Sequence, residues 1–389
     1  YLGRRVLRSG GAVGMSGYRT VSHRILLVLA IVAIGCFAIA QNAKVVIQSE
    51  TYREKLRASR LTQLSMQAVR DERFPKRSEI DLVNDPHATG MIGQEYTLIT
   101  TDRGVIRSKL TSTNPNFGAV MVELLTRSGL EPGDIIAASL TGSFPGLNIA
   151  FYAACDVLEL KPLVITSVGA STWGANDPMF TWLDMEELLH QKGLIRTKSI
   201  AASIGGGEDK GRGLSRLGRR YIEESIERNG IPMIQEATLE ESITKRMEIL
   251  YEHAGDQSIN AVINIGGGVA SLGASINGKL IPSGLSMSLA RRNFPVKGTT
   301  LLLAERGIPV IHVLRVQTLA KRYGLPAPPG PDPEIGVGPI YFTERLNGAV
   351  AGLLLFVLGL LLLITIRVDL AHSLLRKTST EPTIRGGEM

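Results

Sequence analysis

Four short stretches of this chain gather residue types that bind or transform small anionic groups. They are Thr141-Gly142-Ser143, Ser171 to Asp177 (ending in Asn176 and Asp177), Gly205-Gly206-Gly207 and Gly266-Gly267-Gly268. Glycine lets a backbone approach a ligand closely. Where such a loop leads into a helix, free N–H groups and the helix dipole favour negative charge. Taken singly, each stretch reads as a tight strand-to-helix turn. Taken together as one rim, they read as an anion or carboxylate site. Three side chains are the candidates for catalysis: Ser143 on a strand-to-helix turn, Asp177 on a strand exit, and Glu208 directly after the triple glycine. A carboxylate does acid–base work only when a cleft holds it; otherwise it caps and solvates.

Familiar catalytic motifs are incomplete. Gly268 to Ser275 has the glycine spacing of a phosphate-binding loop, but Ala274 stands where its lysine must be. Gly142-Ser143-Phe144-Pro145-Gly146 is out of register with G-x-S-x-G. A serine triad would need a base from His87, His190, His253 or His312, and His312 falls inside an apolar strand pattern. No H-E-x-x-H or other metal-ligand spacing occurs, so neither metal nor cofactor is expected. Asp184, Glu186, Glu187 and Asp209 read as capping or solvating acids. Lys210, Arg212, Arg216, Arg219 and Arg220 form a basic cluster that suits a polyanion. Arg219 and Arg220 are also followed four residues later by Glu223 and Glu224, a common surface pairing.

The elements that must position these groups form an alternating pattern. Apolar runs at 134–140, 163–169, 199–207 and 259–268 read as buried strands, with a short strand at PMIQEA. TTLLLAE and PVIHVLR (309–315) complete the count. Amphipathic helices separate most of them, beginning at Leu147, Thr181, Leu214 and Leu239. Continuous apolar strands between helices imply a doubly wound, mostly parallel α/β sheet covered on both faces. Ligands of such sheets bind beyond the carboxyl ends of the strands, where the strand order switches. This domain is expected over 91–324. Before it, 41–90 is a helical connector in which Tyr52, Leu56, Leu61, Leu64 and Ala68 share a stripe, either as an exposed stalk or docked. After it, 325–347 carries six prolines and reads as a stiff tether.

The ends are apolar. Ile25 to Ala40 and Gly348 to Ile366 contain no charge. The second has the length of a spanning helix. The first is shorter and reads as a signal anchor, or as a signal peptide with Ala38-Ile39-Ala40 as its cleavage site. Basic residues in the tails 1–24 and 367–389 place both termini in the cytoplasm and the domain outside an inner membrane. Met15 is an alternative start. Gly348 and Gly352 have G-x-x-x-G spacing, a helix-dimer signature that would allow a homo-oligomer. Residues 41–345 hold 34 Lys and Arg against 33 Asp and Glu, which argues against nucleic-acid binding. Cys155 is the only cysteine outside the apolar ends, so the domain has no internal disulfide.

The blocks TSTNPNFGAVMVELL (111–125), SLTGSFPGLNIAFYAA (139–154) and TSVGASTWGANDPMFTWLDMEELL (166–189) resemble the poly-gamma-glutamate system protein family. These are membrane proteins of capsule loci, found alongside the poly-gamma-glutamate ligase. The resemblance covers residues 90–345 and assigns no catalytic residue. It implies a process: synthesis, export, anchoring or trimming of an anionic glutamate polymer. Three functions follow. The chain is an accessory protein binding the polymer or the ligase complex, an enzyme cleaving or transferring the gamma-linked polymer, or a small-molecule-binding sensor. The first accords best with two membrane segments and incomplete catalytic motifs.

Overall fold

A computed structural model describes residues 23–290 and 293–378. It divides into a unit made of the two chain ends and a unit spanning Gln48–Thr343. In the first unit, helices His23–Asn42 and Gly348–Thr378 pack together. Lys44–Gln48 pairs with Phe342–Leu346 in a two-stranded ribbon where the chain passes from one unit to the other. His23–Asn42 and Gly348–Arg367 are each long and apolar enough to cross a membrane. Helical residues on both sides of Ile25–Ala40 bring that segment to 20 residues. Most of the basic N-terminal tail and the last part of the C-terminal tail lie outside the described residues.

The second unit is a seven-stranded α/β domain. Its strands are β1 (Ile135–Thr141), β2 (Lys161–Ser167), β3 (Ala201–Ser203), β4 (Met233–Ile234), β5 (Ile259–Ile265), β6 (Gly284–Ser286) and β7 (Val310–Val313), in the order β6-β7-β5-β1-β2-β3-β4. All neighbours are parallel except β6 against β7. Successive side chains of a strand point to opposite faces. Here Ile136, Ala138 and Leu140 enter one core and Ile135 and Ala137 the other. The first core is closed by helices Tyr52–Arg73, Phe117–Arg127, Pro145–Val157, Trp182–Gln191 and Arg216–Arg228; the second by Leu239–Ala254 and Thr299–Glu305. The architecture is therefore doubly wound, as the apolar strand runs implied.

Several boundaries differ from the sequence expectation. TTLLLAE is the helix Thr299–Glu305, not a strand. A short apolar run has no intrinsic period, and here it follows Gly298 and buries Thr299, Leu301 and Leu303 as one helical face. β3 stops at Ser203 because the glycines beyond it turn the backbone. The antiparallel edge β6 had no apolar signature.

The connector is part of the domain. Helix Tyr52–Arg73 docks through Ala58, Ser59, Thr62, Ser65, Met66 and Val69, whereas Leu64 of the expected stripe is exposed. Small residues let it approach closely: a Cβ on Gly118 would fall 2.7 Å from the Ala58 carbonyl. Lys55 is buried on this face and neutralised by Glu123 at 2.6 Å. The proline-rich segment is not a free tether. Asn116 Nδ2 donates to the Glu334 carbonyl at 2.9 Å, and Leu325, Ile340 and Tyr341 join the core. The Tyr341 hydroxyl reaches Ser59 Oγ at 2.8 Å and Asn116 Oδ1 at 2.6 Å, all buried.

Removing that hydroxyl leaves buried partners unsatisfied, at a cost of about 1–3 kcal/mol. Tyr341→Phe should therefore lower the thermal midpoint of the detergent-solubilised chain while leaving its helical content intact, as read by circular dichroism.

Candidate functional site

The chain lays down β1 to β4 in one direction across the sheet. It then crosses back through helix Leu239–Ala254 to place β5 and β7 on the other side of β1. The strand order thus switches between β1 and β5, and connections at that point diverge to opposite faces, leaving a crevice. A cleft of about 430 Å³ opens there. Its walls are the exits of β1 (Thr141, Ser143, Phe144), β2 (Ser167, Gly169, Ser171), β3 (Gly206, Gly207, Arg212) and β5 (Gly267, Gly268, Val269), with residues 101–105 and Ser108 as a further wall.

Glycine is required where these exits crowd. Gly266 sits at φ +101°, and a Cβ there would fall 2.1 Å from Thr141 Oγ1. A Cβ on Gly142 would fall 2.5 Å from the Val168 carbonyl. Both lie directly behind the lining. The loop after β3 is held from below. Gly205 N–H donates to the Asp209 carbonyl at 3.2 Å and Gly211 N–H to the Gly205 carbonyl at 2.7 Å. The Asp209 carboxylate turns inward to accept from Ser203 Oγ (2.8 Å), Ser242 Oγ (2.6 Å) and Arg246 Nη2 (2.9 Å). Asp209 and Arg246 side chains are each 1% exposed. Arg246 also donates to Ser167 Oγ at 3.0 Å, so this buried ion pair ties the exits of β2 and β3 to the long helix beneath them.

The residue that sequence reasoning missed is Lys109, on helix Ile106–Ser112. Its side chain is buried, with Nζ 2.8 Å from Ser171 Oγ, donating also to the Ser143 carbonyl and lying 4.2 Å from the Phe144 ring centroid. No carboxylate accompanies it among the described residues. Burial therefore pushes the ammonium down to about 7 from its ordinary 10.5. Ser171 is placed by a short parallel pairing of Ala170–Ser171 with Thr100–Asp102, and its N–H donates to Ser143 Oγ at 3.1 Å. A lysine amine, a cleft-lining serine and a second serine thus converge. No sequence signal marks Lys109, since its partners lie 34 and 62 residues away.

The structure brings Thr141, Ser143, Gly206, Gly207, Gly267 and Gly268 into the cleft lining. Gly142, Gly205 and Gly266 sit in the same loops without lining it. Asn176 is buried, its Nδ2 donating to the Gln94 carbonyl at 2.7 Å and Thr100 Oγ1 at 3.1 Å, which fixes the wall rather than the interior. Asp177 lies outside the lining, 3.9 Å from Arg73. Glu208 is also outside it. Hydrogen bonds from Lys210 and Arg212 hold its carboxyl below the usual range. Asp184 accepts from Thr181 in a capping box and pairs with Arg228 at 2.6 Å, and Glu186 is buried against Tyr152 and Ser199. His312 is buried between Asn264 and the Gly278 carbonyl, and burial lowers it to about 4. Of the basic cluster only Arg212 reaches the cleft; Arg220 pairs with Glu224, while Arg219 donates to the Leu214 carbonyl. Arg103, on the 101–105 wall, is exposed and has no acidic partner among the described residues. Among the described residues no group of three or more His, Cys, Asp or Glu side chains is arranged for a metal ion.

No protein-family model matches this chain, and neither the curated proteins nor the solved structures include a match.

Two outcomes follow. Asp209→Asn leaves Arg246 buried without its counter-charge, a loss of about 3–5 kcal/mol that denaturant unfolding would register. For Lys109 the folded value lies below the unfolded one, so the unfolded chain binds more protons between pH 7 and 10.5. Stability from this group accordingly rises with pH through that window. Lys109→Met should melt above the parent near pH 6, with the gap closing toward pH 10.

Proposed function

We propose that this protein is a membrane-anchored accessory component of poly-gamma-glutamate synthesis, export or anchoring, and that the switch-point cleft holds a carboxylate-bearing segment of the polymer. The observation that carries the reading is the cleft itself. It is lined by hydroxyls (Thr101, Ser108, Thr141, Ser167) and backbone glycines, with Arg103 and Arg212 on its walls; Asp102 is the one lining acid, and Arg212 is also bonded to Glu208 just outside the lining. Arginine recognises carboxylates through paired N–H donors, and the exposed Arg103 side chain has no ion-pair partner among the described residues. Gly267 and Gly268 add N–H groups that donate to no protein acceptor among the described residues.

The likeness of residues 111–125, 139–154 and 166–189 to the poly-gamma-glutamate system proteins supports the choice of polymer. Two helices apt to cross a membrane suit a protein working beside a membrane-bound ligase. In this reading the domain lies on the extracytoplasmic side of the cell membrane, and its partners are the polymer and the ligase complex.

Binding of gamma-linked glutamate oligomers to the detergent-solubilised chain, followed by calorimetry, tests this. Affinity should fall with added salt, and Arg103→Ala should weaken it about tenfold, equivalent to about 1.4 kcal/mol. Oligomers with methyl-esterified carboxyls should not bind. Equal binding of esterified and free oligomers, or none of either, would refute the proposal. Protease access in spheroplasts checks the side of the membrane: cleavage within 48–343 without lysis is the expected result.

A further inference from the structure

Two lysines are fully buried among the described residues of the domain, and their environments differ in one respect. Lys55 is 2% exposed and faces Glu123 at 2.6 Å. Lys109 is likewise 2% exposed, but its Nζ meets only the Ser143 carbonyl, the Ser171 hydroxyl and the Phe144 ring. Burying an ammonium without a counter-ion is among the costliest arrangements in a protein, and such a group sheds its proton instead. Lys109 is the buried lysine whose donors meet only neutral acceptors among the described residues.

Neutral lysine has a lone pair, and here the lone pair has a neighbour suited to it. As an ammonium Nζ donates to both the Ser143 carbonyl and Ser171 Oγ; once neutral it can keep the first bond and turn its lone pair toward Ser171 Oγ, 2.8 Å away, to accept that hydroxyl's proton. Ser171 lines the cleft, and its backbone is fixed on both sides. Its N–H is held by Ser143 Oγ at 3.1 Å, and the following Thr172 N–H donates to the Asp102 carbonyl at 3.0 Å. A nucleophile touching its base, anchored by a third group, is the geometric signature of covalent catalysis.

We propose that Ser171 and Lys109 form an acyl-transfer centre, with Ser171 Oγ as nucleophile, Lys109 as general base and Ser143 as the residue that positions Ser171. The substrate class is an amide whose acyl part carries a carboxylate; this choice of class rests on the anion-binding reading above, whereas the chemistry does not. Ser171 Oγ attacks the amide carbonyl carbon while Lys109 Nζ takes the hydroxyl proton. The C–N bond then breaks, and the amine departs with that proton from Lys109, leaving an ester on Ser171. Water or a second amine attacks the ester carbonyl. Its proton passes through Lys109 to Ser171 Oγ as the C–O bond breaks, which restores both residues. Water as acceptor shortens a polymer; an amine acceptor transfers it.

The charged residues that line the cleft are Asp102 and Arg103, on the wall preceding Lys109, and Arg212 on the loop after β3. None contacts Nζ among the described residues, so the amine titrates mainly under the control of its burial.

The test is covalent labelling of the full-length chain in detergent with an alkyl fluorophosphonate, read by peptide mass spectrometry. Attack forms an O–P bond and expels fluoride, the hydroxyl proton going to Lys109. The expected adduct is on Ser171, forming at a rate that climbs about tenfold from pH 6 to a plateau above pH 8, with a midpoint near 7. Ser171→Ala should abolish it. Lys109→Arg, which stays charged, should slow it at least about tenfold. If Lys109→Arg does not fold, the pH profile of the parent chain decides alone. No adduct at pH 8, an adduct confined to other serines, or a rate flat from pH 6 to 9 would overturn the proposal. Glutamate-oligomer binding to Ser171→Ala is measured in parallel. Binding without labelling of the parent would remove the catalytic centre and keep the anion site. Labelling without binding would keep the centre and remove the polymer.

Discussion

The backbone of Ile135–Thr141 has no water to bond to. Both faces of this strand are buried, and both of its edges are taken by parallel neighbours, β2 on one side and β5 on the other. Buried peptide groups must be paired, so this strand dictates where its neighbours start and stop. It also forces every connection to cross a face of the sheet, because parallel strands cannot be joined by a tight turn. Helices consequently cover both faces, and the strand exits gather at one edge. The cleft is what remains where the connections of β1 and β5 leave in opposite directions.

Polar burial around that edge is of two kinds. Asp209 and Arg246 neutralise one another and spend their remaining donors and acceptors on Ser167, Ser203 and Ser242. The Tyr152, Glu186 and Ser199 cluster is similarly complete behind β2. These networks fix the floor and require no ligand. Lys109 is the exception, a cation satisfied by neutral groups. The other two fully buried cations among the described residues each face a carboxylate, Lys55 at Glu123 and Arg246 at Asp209, and Lys109 differs from both in meeting none.

What was legible in the sequence is what local pattern encodes. The central strands declared themselves by continuous apolar runs, and the rim by glycine at their ends. The switch-point location followed from the parallel topology. Lys109 was invisible because its significance lies in burial and in contacts with Ser143 and Ser171, neither of which has a local signature. Ser171 was noticed only as the start of a loop. Asp177 and Glu208 looked suitable by position along the chain. Asp177, however, lies near Arg73 outside the lining, and Glu208 sits on a left-handed turn at φ +55° with Lys210 and Arg212. The proline-rich stretch misled for a related reason: proline stiffens a chain but says nothing about what the chain rests on. Its attachment comes from Asn116 and Tyr341, which composition does not reveal.

The two ends of the domain are bonded to one another. Ser49 N–H donates to the Tyr341 carbonyl at 2.9 Å, and Lys55 Nζ reaches the Ile340 carbonyl at 3.0 Å. The whole of 48–343 is thus a closed loop in the topological sense, entered and left through one doorway. Fraying from either end of this body must first break those bonds, so its two termini are stapled to one another and do not open independently.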